Sequence, residues 1–84
     1  METMRGTAFI YKGGDKIATY STLIYDSTGK SASHIQGAIV KDIKQAMRNR
    51  GADYADVYIH YSVLPIGPNC TRGIGKVQPW QKNR

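Results

Sequence analysis

The chain of 84 residues contains a single cysteine, Cys70, and only two histidines, His34 and His60. One thiol excludes an internal disulfide and any zinc site built from several thiolates. No pair among the three residues has a metal-ligand spacing, so the sequence predicts neither a metal centre nor another cofactor. Because a chain without disulfides is typical of a reducing compartment, we expect a cytoplasmic protein.

Long hydrophobic runs are absent as well. No stretch approaches the roughly 18 consecutive apolar residues of a membrane-spanning helix, and residues 1–6 lack the apolar core of a signal peptide. The sequence therefore predicts no membrane partner. Acidic residues are also few, since six Asp and Glu stand against twelve Lys and Arg, for a formal net charge of +6. This balance favours an anionic partner.

The length is that of one small domain, and 40% hydrophobic residues are enough for a folded core. Within residues 1–84 we expect a flexible N-terminus at 1–6 and a basic, glycine- and proline-containing segment at 65–84. The basic segment has no acidic side chain, and it contains the only tryptophan, Trp80. Trp80 either packs onto the domain or stays free as an interface residue.

Three strands and one helix are predicted from periodicity. Residues 7–11 and 16–25 are rich in β-branched and aromatic side chains, and the intervening Lys-Gly-Gly-Asp predicts a hairpin turn. Residues 33–50 have an isoleucine or methionine at every fourth position, which predicts a helix with one buried face. Residues 56–64 alternate as a strand does, and residues 74–78 fit a short fourth strand.

The ends of the helix have their own signals. Ser33 and Gln36 fit a capping box at the N-terminus, with Ser31 as the alternative cap. Gly51 follows Arg48 and Arg50, and a glycine at this position is typical of a left-handed helix end.

These elements predict an α+β fold. The order β-β-α-β, with the short fourth strand, gives a small, mainly antiparallel sheet of three to four strands with one helix packed across one face. A single helix of about 18 residues covers only that face. We call the uncovered side the open sheet face, and expect it to contain Tyr11, Tyr20, Tyr58 and His60.

Basic residues on the helix and in the C-terminal segment form a second candidate site. Lys41, Lys44 and Arg48 have the three- and four-residue spacing that lines one side of a helix. With Lys30 and the C-terminal segment they define the predicted binding set: Lys30, Lys41, Lys44, Arg48, Arg72, Lys76, Trp80 and Lys82. The alternative is that this helix stripe is an ordinary solvated surface and that the tyrosines serve the sheet alone or seat a homodimer.

Three functions compete. The sequence favours a non-catalytic basic binding module that engages nucleic acid, or a complex containing nucleic acid, through the helix face and the C-terminal segment. The alternative is a stoichiometric inhibitor of a host protein or defence complex, of the kind phages use against CRISPR complexes. Such an inhibitor docks by its open sheet face or edge in the host cytoplasm. This alternative rests on size alone.

A small RNase with His60 as its acid or base is the third function. Tyr58, Tyr61 and a basic residue such as Arg72 would be its companions in such a site, but an unpaired histidine in a tyrosine-rich strand is more often a structural or interface residue. We therefore predict that the protein is not an enzyme.

Overall fold

The structure, a computed structural model, describes residues 1–63, 67 and 69–80. Within them it contains five strands and one helix: β1 (Glu2–Lys12), β2 (Asp15–Ser21), β3 (Tyr25–Asp26), α1 (Ala32–Asn49), β4 (Tyr54–Val63) and β5 (Asn69–Val77). The α+β class with one helix is confirmed. The sheet has five strands, where three or four were predicted.

The sheet is antiparallel throughout, in the order β2-β1-β4-β5, and β3 pairs with the start of β1. Since β1 begins at Glu2, residues 2–6 belong to the sheet, and the expected flexible N-terminus at residues 1–6 is wrong. Met4 shows the reason, because it pairs with both Tyr25 and Tyr61 and is only 2% exposed. Its burial holds the strand start in place.

The hairpin between β1 and β2 forms as predicted. Gly13 and Gly14 have φ angles of 61° and 84°, and two consecutive positive φ angles are the mark of a type I′ turn. Asp53 fixes the turn from outside, because its Oδ2 accepts a hydrogen bond of 2.7 Å from the backbone N–H of Gly13.

The helix ends differ in how well the sequence predicts them. At the N-terminus the cap residue is Ser31, the predicted alternative, and Ser33 already lies inside the helix, so the Ser33–Gln36 capping box is wrong. Ser31 makes no capping bond through its side chain. At the C-terminus Gly51 has a φ of 63°, as predicted. The N–H groups of Gly51 and Ala52 bond the carbonyls of Arg48 and Met47, which is the Schellman arrangement.

The core lies between α1 and one face of the sheet. Fully buried side chains from the helix meet those of β1 and β4: Ile39, Ile43, Met47, Ala8, Ile10, Ala55, Val57 and Ile59. Gly6 lies at the closest approach, since an added Cβ would collide with Ile39. In the part of the chain that the structure describes, α1 is the one helix, and it leaves the opposite face uncovered. Among the described residues no helix has both the length and the apolar character that crossing a membrane requires.

The described part of the C-terminal segment is mostly strand. β5 has nine residues and pairs with β4 along its length, whereas the sequence predicted a short strand at residues 74–78. Lys82 of the predicted binding set lies outside the described residues, as does Leu64 at the end of the predicted third strand. The described part of the segment therefore belongs to the folded domain.

Candidate functional site

The predicted basic stripe does not form one solvent-facing surface on α1. Lys41 is exposed, but Lys44 is only 7% exposed and Arg48 is partly buried. Burial, together with the positive charge of Arg48, lowers the pKa of Lys44. Lys30, before the helix, donates a hydrogen bond of 3.3 Å to the carbonyl of Asp26. The prediction that Lys44 belongs to an exposed binding surface is therefore wrong.

Arg48 joins the C-terminal segment to the helix. Its guanidinium donates a hydrogen bond of 2.7 Å to the carbonyl of Pro79 and lies 5.1 Å from the ring centroid of Trp80. Trp80 remains 78% exposed, so it rests on the arginine without entering the core. The structure thus brings Arg48 and Trp80 together, at one end of the helix.

Arg72 and Lys76 face opposite sides of the sheet. Arg72 pairs with Ile59, which is buried under α1, whereas Lys76 pairs with Asp56 on the other face. Two residues four apart in a regular strand share a face, but a bulge adds Ile74 to β5 opposite the Val57/Tyr58 step. The predicted binding set is consequently dispersed over several surfaces.

A second bulge decides the position of Tyr20. Tyr11 pairs with Lys16 and Ile10 pairs with Ala18, so Ile17 is an extra residue in β2. The extra residue reverses the alternation and turns Tyr20 toward the helix, where its hydroxyl donates a 2.9 Å hydrogen bond to Asp42. Hydrogen bonding to Asp42 and burial raise the pKa of Tyr20. The placement of Tyr20 on the open sheet face is wrong.

The open sheet face instead combines cations, rings and hydroxyls from four strands. Register places Tyr11, Tyr58 and His60 on it. Its other members include Phe9 and residues that the sequence analysis did not place in a site: Thr3, Arg5, Thr7, Lys16, Asp26, Tyr54, Asp56, Thr71 and Gly73. Among the described residues of the five strands, register thus places three cations, Arg5, Lys16 and Lys76, on this face. Two carboxylates share it: Asp56 and, beside Thr3 at the start of β1, Asp26.

Tyr58 is the most accessible ring of this face. It is 37% exposed, whereas Phe9, Tyr11 and Tyr54 are half-buried. An added Cβ at Gly73 would lie 3.3 Å from Cε1 and 3.5 Å from Cδ1 of Tyr58. The edge of the ring therefore lies over Gly73 on β5, and any larger residue at this position would contact the ring closely.

The neighbouring rings are covered by one another and by lysines. Tyr11 and Tyr54 stack with centroids 4.8 Å apart and planes within 9°, and Nζ of Lys76 lies 4.8 Å from the Tyr54 centroid. Nζ of Lys16 lies 5.5 Å from the Phe9 centroid. These contacts hold two ammonium groups above aromatic rings, on the same face as Tyr58.

His60 connects three strands beside Tyr58. Its Nε2 is 3.0 Å from Oγ1 of Thr7 and its Nδ1 is 2.9 Å from Oγ1 of Thr71. A neutral imidazole donates from one nitrogen and accepts at the other, and a hydroxyl suits either role. Both ring nitrogens are therefore engaged in holding the sheet together, and Arg5 stands opposite His60 on β1.

Part of this site was readable from the sequence. From Met4 to Tyr11 small or apolar residues alternate with Arg5, Thr7 and Phe9, and the buried and open faces of β1 follow that alternation. Extending the first strand to its true start would have placed Arg5 on the open sheet face. Lys16 follows from the two-residue turn, which sets it opposite Tyr11.

No cluster of three or more His, Cys, Asp or Glu side chains suited to a metal occurs in the described part of the chain. Comparisons of the chain with protein-family models, with curated proteins and with solved structures each gave no match.

Proposed function

We propose that the protein is a non-catalytic binding module for nucleic acid or a nucleic-acid-containing complex, and that it binds through the open sheet face. One observation carries the proposal: Arg5, Lys16 and Lys76 surround an exposed tyrosine, Tyr58, on the sheet face opposite α1. Cations neutralise phosphates and aromatic rings accept bases, so the face has both parts of a nucleic-acid site. We place this activity in the cytoplasm, on the argument from the single thiol.

The cations predicted from the sequence have a smaller part in this proposal. Lys44 is buried, and Arg48 is engaged with Pro79 and Trp80. Lys41 and Arg72 remain exposed outside the open sheet face and add to the general positive field. That field raises the rate of encounter with a polyanion, but it does not determine which surface binds it.

A salt titration tests the proposal. Binding of labelled single-stranded RNA, single-stranded DNA and duplex DNA is measured by fluorescence anisotropy between low and physiological salt. If three cations neutralise three phosphates of a single strand, the slope of log affinity against log salt is about −2. The variant Lys76→Gln, which removes one charge, should make this slope less negative by about 0.7. Lys41→Gln, which removes one charge from the helix, is its matched control. Affinity for all three ligands no greater than that of a neutral protein of equal size contradicts the proposal.

A protein partner is the second candidate function, in the form of an inhibitor of a host protein or defence complex. Leu23 and Ile24, between β2 and β3, are 82% and 66% exposed. The preceding residue, Thr22, ties them to β1 by one backbone hydrogen bond and two through its hydroxyl. Its N–H donates to the carbonyl of Gly6, and its Oγ1 accepts from the N–H of Gly6 and donates to the carbonyl of Leu23. Fixed, exposed apolar residues at a sheet edge favour docking on a protein.

The two candidates separate in a purification from cell extract with and without nuclease. A partner that survives digestion of nucleic acid and is lost from the double variant Leu23→Ser, Ile24→Ser favours the inhibitor. A partner that disappears with digestion favours nucleic-acid binding. His60→Ala serves the remaining RNase hypothesis, since loss of a cleavage activity in this variant alone would favour catalysis over binding.

A further inference from the structure

We infer that the open sheet face binds single-stranded nucleic acid with one unpaired base stacked on the ring of Tyr58. The inference rests on the proposed function and narrows it from any nucleic acid to an unpaired strand. Its starting point is the contrast between Tyr58, which is 37% exposed, and the other three rings of the face, which are half-buried.

Space around Tyr58 is provided by its cross-strand neighbours. Register sets Thr7 on one side of it and Gly73 on the other. Both are small, and because Gly73 has no side chain, the ring edge of Tyr58 has room to lie over β5. The ring of Phe9 meets Tyr58 edge to face, with centroids 5.7 Å apart and planes at 74°. Tyr58 is therefore braced by its neighbours and accessible from solvent.

The cations stand on both sides of this ring. Lys16 and Lys76 are held at the rings of Phe9 and Tyr54, toward the turn end of β1. Arg5 lies four residues before Phe9 on the same strand face, about 13 Å away along β1. A strand whose phosphates contact both ends passes a base over Tyr58, which lies between them.

A duplex fits this arrangement poorly. Its bases are stacked on one another inside the helix, and only phosphates and groove edges reach a flat surface. An unpaired base has a free face, and stacking on an aromatic side chain tolerates any of the bases. The charge of the face attracts both kinds of nucleic acid, so Tyr58 is the group that distinguishes them.

The test compares oligonucleotides that differ only in their bases. Wild-type protein is titrated with a single-stranded DNA, the same length of abasic strand, a single-stranded RNA and a duplex, at one salt concentration. We expect the base-bearing strands to bind about 5- to 150-fold more tightly than the abasic strand, the range measured for loss of one base–aromatic stack. The DNA and RNA arms show which sugar the face prefers.

Three variants assign the preference to the ring. Tyr58→Ala should bind the base-bearing and abasic strands alike, while Tyr58→Phe, which keeps the ring, should behave as wild type. Trp80→Ala is the matched control, because Trp80 is another exposed aromatic residue and contacts Arg48 at the C-terminal end of α1. Circular dichroism and thermal unfolding verify that each variant is folded.

Several outcomes would overturn the inference. Equal wild-type affinity for base-bearing and abasic strands, or an unchanged preference in folded Tyr58→Ala, removes the stacked base and leaves the proposed function standing. No binding of any of the four ligands removes the proposed function itself. A dimer in sedimentation that Tyr58→Ala converts to a monomer assigns the face to a second copy of the chain.

Discussion

Tyr58 and Gly73 face each other across β4 and β5: the ring edge of the tyrosine lies 3.3 Å from the place where a side chain at position 73 would begin. Glycine in a strand weakens pairing unless something packs over it, and here an aromatic ring does so. The relationship fixes the position of the most accessible ring on the open sheet face.

Replacing Gly73 with Ala should therefore reduce binding without unfolding the protein. The new methyl group lies 3.3 Å from Cε1 of Tyr58, so the ring edge has to shift by a few tenths of an ångström. We expect the affinity for single-stranded nucleic acid to fall by about 3- to 10-fold, because a base stacks less well on a displaced ring and contributes less binding free energy. Unfolding in urea should change by less than about 1 kcal/mol. Unchanged affinity in the folded variant contradicts a role for the position of the ring.

Gly6→Ala should destabilise the fold strongly. Its Cβ would collide with Ile39 and lie 3.1 Å from Ile43, both of which are fully buried in α1. Overpacking of this kind costs about 1–3 kcal/mol, and the free energy of unfolding measured in urea should fall by that amount. A variant as stable as wild type would mean that the helix does not approach β1 so closely.

Gly37→Ala is the opposite case within the same chain. Gly37 lies inside α1, and nothing is within 4 Å of its added Cβ. Alanine lowers the entropy of the unfolded chain and suits a helix, so the free energy of unfolding should rise by about 0.5–1 kcal/mol. Unfolding in urea measures this change. A loss of stability would contradict the prediction and indicate that another group packs against Gly37.

Tyr20→Phe should remove a contribution that depends on pH. The hydroxyl of Tyr20 donates to Asp42, which raises its pKa above the ordinary 10.0. When the pKa of an acid is higher in the folded state than in the unfolded state, its contribution to stability is complete at pH values below the unfolded-state pKa. The contribution is lost as the pH rises through the folded-state pKa. We expect wild type to exceed Tyr20→Phe by about 1 kcal/mol at pH 7, and the difference should shrink above pH 10. A constant difference across this range contradicts the hydrogen bond.

Trp80→Ala should change stability only slightly and leave nucleic-acid binding intact. The tryptophan is 78% exposed and contacts Arg48 through its ring. An exposed cation–π contact is worth about 0.5–1 kcal/mol, which thermal unfolding can detect. Loss of nucleic-acid affinity in this variant would return the binding site to the C-terminal segment.

Regular periodicity made most of the fold predictable. The isoleucines of α1, the alternation of β4 and the Gly13-Gly14 turn identified the helix, a central strand and the hairpin. The Ser33–Gln36 capping box was wrong because Ser33 fits a capping pattern without forming it, and the alternative, Ser31, is the cap residue. The true start of β1 was missed because residues near a terminus were expected to lack partners, while in fact Met4 is buried between two strands.

The candidate site was harder to predict, and two bulges explain why. One extra residue at Ile17 moves Tyr20 to the helix side, and another at Ile74 separates Lys76 from Arg72. A bulge leaves no reliable mark in a single sequence, yet it reverses every side chain beyond it. The burial of Lys44 also could not be predicted. Helical spacing shows which residues share one side of a helix, but it does not show whether that side is covered.

The central claim is that the open sheet face, and not the outer side of the helix, binds nucleic acid. The most direct measurement is an NMR titration of ¹⁵N-labelled protein with a short single-stranded oligonucleotide. We predict that the largest amide shifts fall in residues 5–11 of β1, 54–60 of β4 and 71–76 of β5, while residues 41–48 of α1 change little. Shifts concentrated in residues 41–48 and at Trp80 would contradict the account and restore the helix stripe as the binding surface.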